Sequence, residues 1–224
     1  MIDGVRIKFC GLTSLVDAIH ADKLGADYLG FILHPQSPRG ITLRDFENLT
    51  PNLPQGRKQV AVMVAPETAD LEAARDAGFD RFQLHFPAET KLSRLAEWRD
   101  LVGRDRVWLV PRRPPEMEFD SRWLEFGDTV LVDTYSADKF GGTGKTGNWN
   151  EFQALGELST NHTWILSGGL LPENVADALA ASGARFLDIN SGVEAAPGIK
   201  DHAKMNAIIL AIHEHRSSSH SADV

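Results

Sequence analysis

The sequence predicts a single (β/α)8 barrel, and three observations carry that expectation. Strand-like and helix-like segments alternate from end to end, giving about eight β-α units. The strand-like segments are near-continuous apolar runs, as expected when helices cover both faces of a parallel sheet. The chain has 224 residues, a length that suits one domain of this kind. An open, doubly wound sheet shares the alternation and stands as the other architecture.

Residues 5–9 read as the first strand, with Ile7 and Phe9 on one face. Ser14 then caps a helix with Asp17 in support, Leu15, Ala18 and Ile19 form its buried stripe, and Gly25 ends it. Residues 28–33 are the second strand and 42–49 the second helix; 59–64 and 68–77 are the third pair, stopped by Gly78. Residues 79–84 form the fourth strand, running into His85, and Leu92, Leu95 and Ala96 mark the fourth helix. Residues 107–110 are the fifth strand, and 120–126 a weak helix. Val130 to Val132 is the sixth strand, with a helix from Trp149 for which Asn148 is the N-cap and Glu151 reaches back. Then come a strand at 163–166, a helix opened by Pro172, a strand at 185–189, and a last helix carrying Met205, Ile208, Ile209 and Ile212. The domain is expected to span residues 1–216, and the polar stretch 217–224 reads as a disordered tail.

Composition narrows the function class. At 42% hydrophobic, 24% charged and a net charge of −8, the chain reads as an ordinary globular protein, not a general binder of nucleic acid or anionic membrane. No apolar run approaches a membrane span, and no secretory signal is visible. Cys10 is the only cysteine, so no internal disulfide forms; a reducing cytoplasm is the simplest address. Monomer and homodimer are both compatible with the sequence.

In such a barrel the chemistry sits at the carboxyl ends of the strands. Just past successive strands lie Cys10 and Gly11; His34, Ser37, Pro38 and Arg39; His85; Arg112 and Arg113; Asp133; Ser167, Gly168 and Gly169; and Asn190, Ser191 and Gly192, with Asp188 just inside strand eight. The last two loops are the strongest signal, because loops after strands seven and eight commonly hold a phosphate on backbone N–H groups. Ser191 to Glu194 also reads as a capping box for a short helix there. Cys10 is either a small buried hydrophobe or, before a helix N-terminus, a general base. Arg39 is either a solvated charge or a clamp for a carboxylate. His34, His85, Asp133 and Asp188 lack any local metal-ligand spacing, so no metal is expected.

The stretch 130–149 runs from a buried strand through Asp133 into a loop with Gly141, Gly142, Gly144 and Gly147 around Lys145. Gly142, Gly144 and Gly147 match a dinucleotide fingerprint in spacing, but the match starts several residues past the strand and lacks the acidic residue about 20 positions on. Gly144-Lys145-Thr146 suggests a P-loop, but Lys139 stands where that motif needs glycine. What remains is a carboxylate at a strand end followed by a lid over a phosphorylated substrate, or a surface hairpin.

F-C-G-L-T at 9–13, S-P-R at 37–39, Q-L-H at 83–85, L-V-D-T at 131–134, G-G-T-G-K-T at 141–146, S-G-G-L at 167–170, P-E-N-V at 172–175, D-I-N-S-G-V-E at 188–194 and P-G-I-K-D at 197–201 run in order along nearly the whole chain. The set resembles the phosphoribosylanthranilate isomerase family. The resemblance implies a TIM barrel of the ribulose-phosphate-binding type, acting in tryptophan biosynthesis on a small phosphorylated substrate. It implies an Amadori rearrangement without a cofactor, turning a phosphoribosyl amine into an amino-deoxyribulose phosphate. Carried onto this chain, Asp133 is the general acid and Cys10 the general base. Gly168, Gly169, Ser191 and Gly192 hold the phosphate, and Arg39 meets the anthranilate carboxylate. Gly142, Gly144 and Lys145 belong to a closing loop, His85 lines the rim, and Asp188 bonds a ribose hydroxyl or supports the site. An acid and a base working side by side need environments that push their pKa values apart.

Two features depart from the family pattern. Phe86 follows Q-L-H where glycine is usual, and W-L-V-P-R-R-P-P at 108–115 replaces a plainer segment. They read as surface drift, or as a narrowed pocket mouth at Phe86 and a pairing of Arg112 and Arg113 with another acidic group. The second reading leaves open a paralogous isomerase acting on a different phosphoribosyl amine. A metal-dependent epimerase on the same barrel and a non-catalytic phosphate-binding protein are the other classes; chelation would silence the first, and the second would tolerate loss of Cys10 and Asp133.

Overall fold

A computed structural model of the chain describes residues 1–114, 116–133 and 149–221. Strands β1 (Arg6–Phe9), β2 (Tyr28–Ile32), β3 (Lys58–Val64), β4 (Arg81–Pro87), β5 (Val107–Arg112), β6 (Thr129–Val132), β7 (Thr163–Leu166) and β8 (Phe186–Ile189) close into a barrel in sequence order. Every neighbouring pair is parallel, and β8 closes on β1 with Lys8 beside Asp188. The closed barrel, not the open sheet, is the architecture.

Helices α1 (Leu15–Lys23), α2 (Leu43–Leu49), α3 (Thr68–Asp76), α4 (Leu92–Val102), α5 (Trp149–Leu158), α6 (Val175–Ser182) and α7 (His202–Ser221) cover the outside. Ser14 accepts from the Asp17 N–H at 3.2 Å, as its cap position requires, and Thr42 forms a full capping box with Asp45. The buried face of α1 is Asp17, Ala18 and Ala21, whereas Ile19 of the expected stripe is turned outward. Asp17 is buried because His202 of α7 reaches its carboxylate at 2.8 Å. The weak helix expected near 120–126 is a 3-10 turn, Ser121–Glu125. Residues 191–193 are likewise one 3-10 turn, and Ser191 makes no capping bond there.

A short antiparallel hairpin, β9 (Glu194–Ala196) with β10 (Ile199–Lys200), follows the 3-10 turn and was not expected. Helix α7 is described to Ser221, and the Ser217 hydroxyl donates to the His213 carbonyl one turn back. Residues 222–224 lie outside the described part.

Alternation along the strands separates two cores. Outward residues such as Ile7, Phe9, Leu84, Phe86 and Leu109 pack under the helices. Inward residues such as Val60, Val62, Trp108, Val110, Leu131 and Ile165 fill the barrel. Tyr28, Trp108 and Phe186 close its bottom as one aromatic cluster, with ring centroids 4.9 to 5.5 Å apart. The inward positions of β1 and β8 then climb in register, from the Arg6–Phe186 layer through Lys8–Asp188 to Cys10 at the top. The polar layer at mid-height places the site above it.

Candidate active site

A cavity opens at the carboxyl ends of the strands. Cys10, His34, Arg39, His85 and Asp133 line it, together with the 167–170 and 190–192 segments. Cys10 and Asp133 therefore share one cavity, brought together from β1 and β6 on different parts of the barrel wall. Asp188, Ser37 and Gln83 line it too. Gly142, Gly144 and Lys145, expected in a closing loop, lie outside the described residues, as does the Asn148 cap.

Beneath Cys10 sits a buried ion pair. The Lys8 ammonium, completely enclosed, lies 2.9 Å from both Asp188 carboxylate oxygens and donates to Gln83 Oε1 at 2.8 Å. Asp188 is therefore the ion-pair partner of Lys8 while also lining the cavity. Burial would lower the Lys8 pKa, but Asp188 and Cys10 together, through charge and hydrogen bonding, hold the ammonium above its ordinary value. Gln83 accepts from Lys8 through oxygen, so its amide nitrogen donates to His85 Nε2 at 3.0 Å. That bond leaves the imidazole neutral with its proton on Nδ1. Burial, with Lys8 and His34 nearby, lowers the His85 pKa to about 3, so it stays neutral at working pH.

The Cys10 thiol is also perturbed. Burial and then the Asp188 charge push it up, while Lys8 and Lys200 pull against them without prevailing. Before substrate binds, the protonated thiol is favoured.

A second ionic cluster stands at the rim. Arg39 donates from Nε and Nη2 to both oxygens of Glu194, at 2.7 to 3.0 Å, and Lys200 reaches the same carboxylate at 3.2 Å. Burial alone would raise the Glu194 carboxyl, but Arg39 and Lys200 hold it below the usual range. Lys200 also bonds both oxygens of Asn190. Arg39 is thus neither solvated nor wholly free for a substrate, because one edge of its fork already grips a carboxylate. Glu194, read as part of a capping box, serves Arg39 instead.

The loops after β7 and β8 are shaped by glycine. Gly168 and Gly169 adopt φ of +91° and +64°, and Asn174 staples the turn by accepting from the Leu171 N–H and donating to the Gly169 carbonyl. That staple places the start of α6 at Val175 rather than at Pro172. A Cβ at Gly192 would lie 1.8 Å from the Leu170 carbonyl oxygen, so the two loops touch only because residue 192 has no side chain. Gly192→Ala is expected to cost about 1–3 kcal/mol through this overlap and to lower Tm by about 2–4 °C for each kcal/mol. A thermal scan with an unchanged midpoint would contradict that contact.

The two departures from the family pattern fall elsewhere. Phe86 is fully buried behind the barrel wall against Trp98 and Trp123, because it is one residue out of phase with inward His85. It does not narrow the cavity mouth. Arg113 pairs with Glu151 at the start of α5 and donates to the Met117 carbonyl, a structural role. Neither Arg112 nor Arg113 lines the cavity. Among the described residues no group of three or more metal-ligating side chains converges, and no helix is long and apolar enough to cross a membrane.

Sequence reading missed Lys8 and Lys200. Lys8 carried a signal: a lysine in an apolar strand, two residues before Cys10 and so on the same face. Lys200 stood in the P-G-I-K-D segment at 197–201, but it meets Asn190 and Glu194 only through an unforeseen hairpin.

The family model described as N-(5′-phosphoribosyl)anthranilate isomerase matches residues 7–211. An N-(5′-phosphoribosyl)anthranilate isomerase of Aquifex aeolicus is 37% identical over 212 residues, covering 92% of this chain and 97% of that one. The crystal structure of the phosphoribosyl anthranilate isomerase from Thermus thermophilus superposes with a TM-score of 0.75 at 30% identity, over 94% of this chain and 99% of that one. A phosphoribosyl anthranilate isomerase solved in complex with reduced 1-(o-carboxyphenylamino)-1-deoxyribulose 5-phosphate aligns at 28% identity and a TM-score of 0.70, over 92% of this chain and 96% of that one.

Proposed function

The chain belongs to the N-(5′-phosphoribosyl)anthranilate isomerase family, and from that premise we propose which of its residues carry the reaction. The activity is the Amadori rearrangement of N-(5′-phosphoribosyl)anthranilate to 1-(o-carboxyphenylamino)-1-deoxyribulose 5-phosphate, a step of tryptophan biosynthesis. Asp133 gives a proton to the furanose ring oxygen, the C1′–O bond breaks, and the nitrogen lone pair forms a Schiff base at C1′. Cys10 then takes the C2′ proton, and the electron pair moves through C1′ to nitrogen, giving an enolamine. Tautomerisation moves a proton from the C2′ hydroxyl to C1′ and yields the ketone. No electron leaves the substrate, so no redox partner is needed.

The observation that carries this assignment is the shared cavity of Cys10 and Asp133, with the 167–170 and 190–192 loops at its side. Gly168, Gly169, Ser191 and Gly192 are assigned the phosphate, through backbone N–H groups. Arg39, held by Glu194 along one edge, is assigned the anthranilate carboxylate with its remaining edge. His85, neutral and with Nδ1–H as donor, is assigned hydrogen bonding to substrate and no proton transfer. Gly142, Gly144 and Lys145 are assigned to closure over the bound substrate. The cavity-lining residues come from one barrel, so a single (β/α)8 domain is the working unit proposed.

The test is turnover of freshly made phosphoribosylanthranilate by the purified chain in the presence of a chelator. Steady conversion to the amino-deoxyribulose phosphate is expected. Folded protein that leaves the substrate unchanged, or activity that stops on chelation, would sink the assignment.

A further inference from the structure

Resting on that reading of Cys10 as the base, we propose that Lys8 is its positioning residue. The ammonium, locked at the barrel centre by Asp188 and Gln83, is the fixed counter-charge under the sulfur, and Gly30 is the opening through which the two side chains meet. Cys10 directly follows β1, two residues on from Lys8, and its N–H continues the ladder to Ile189, so both side chains point into the barrel with Lys8 one layer lower. They converge on Gly30 of β2: a Cβ there would lie 2.7 Å from Lys8 Cε and 3.1 Å from Cys10 Sγ. Lys8 cannot swing away, since its head is gripped by Asp188 on β8 and Gln83 on β4 and its side chain is entirely buried.

The other charged and titratable groups around the sulfur do not fill this place. Lys200 and Arg39 are engaged by Glu194 at the rim. His85 is neutral. His34 and Asp133 line the cavity mouth. Asp188 opposes the thiolate and is itself paired with the Lys8 ammonium at 2.9 Å. Lys8 is thus the buried cation that counters part of the cost of burial and of Asp188 when the thiol loses its proton. Its charge must stay put through the reaction, which the three bonds from Gln83 and Asp188 ensure.

The sole cysteine makes the test selective, because alkylation by iodoacetamide reports Cys10 alone. Lys8→Met removes the charge and keeps the length. Its alkylation profile is expected to move to higher pH by about one unit, a roughly tenfold slower reaction at a fixed pH below the midpoint. Its kcat should fall with KM little changed, since substrate contacts are retained. Lys8→Met leaves Asp188 buried without its cation and so threatens the fold; the same comparison is therefore made between Asp188→Asn and the Lys8→Met/Asp188→Asn double variant. The double variant is expected to alkylate about tenfold more slowly than Asp188→Asn. A wild-type alkylation profile in folded Lys8→Met, or equal profiles in the second pair, would overturn the proposal. The alkylation arm needs no substrate, so it stands or falls separately from the isomerase assignment, whose failure would show as full turnover by Cys10→Ala.

Discussion

Replacing Cys10 by alanine is expected to lower kcat about 10²- to 10⁴-fold, the range in which a positioned general base contributes. That corresponds to about 3–5 kcal/mol at 1.36 kcal/mol per decade. The side chain is small and 3% exposed, and one wall of it is the cavity itself, so removing the sulfur leaves packing nearly intact. KM should move little, because the proposed phosphate and carboxylate contacts come from other residues. The pH dependence follows from the direction of the thiol shift. Burial, then Asp188, raises the Cys10 pKa. The base is the thiolate, so the rate of Cys10 alkylation by iodoacetamide in the free protein should rise with pH and should still be climbing at about 8.5, the reference value for a thiol. A wild-type alkylation plateau reached well below neutral pH would contradict the raised thiol. Cys10→Ala turning over at the wild-type rate would rule out this thiol as the base.

Asp133→Asn is expected to lose activity on the same scale, about 10²- to 10⁴-fold in kcat. The substitution is nearly isosteric and keeps a hydrogen-bond donor at the end of β6, but an amide has no carboxylic proton to deliver to the ring oxygen. Ground-state binding should therefore survive while ring opening stalls. Circular dichroism and Tm should match wild type, and a spectroscopic titration should show the substrate bound and unconverted. Weak binding with normal kcat would instead make Asp133 a substrate-binding residue.

Much of this was legible before any coordinates. The apolar runs and their helical partners set the barrel, since both signals are local and depend only on the residue period. The polar residues of the mouth were legible for the same reason: in a barrel, the residue just past each strand is placed by topology alone. Cys10, Asp133 and Gly168 fall in one cavity on that ground. What escaped depends on partners distant in sequence. Arg39 and Glu194 meet across 155 residues, and nothing near either residue announces the other. Phe86 was misplaced although alternation from His85 sufficed to send it outward. Lys8 was read only as part of a strand, because a charge in an apolar run is informative only once its inward direction and the facing Asp188 are both known.

The account's central claim assigns two different steps to two residues, and one measurement separates them. The isotope effect on kcat with substrate deuterated at C2′ is compared in Cys10→Ala and Asp133→Asn. Loss of the base makes C2′ proton removal rate-limiting, so deuteration should slow Cys10→Ala. Loss of the acid makes ring opening rate-limiting, so Asp133→Asn should show no isotope effect. An isotope effect in Asp133→Asn with none in Cys10→Ala would contradict the assignment and exchange the roles of the two residues.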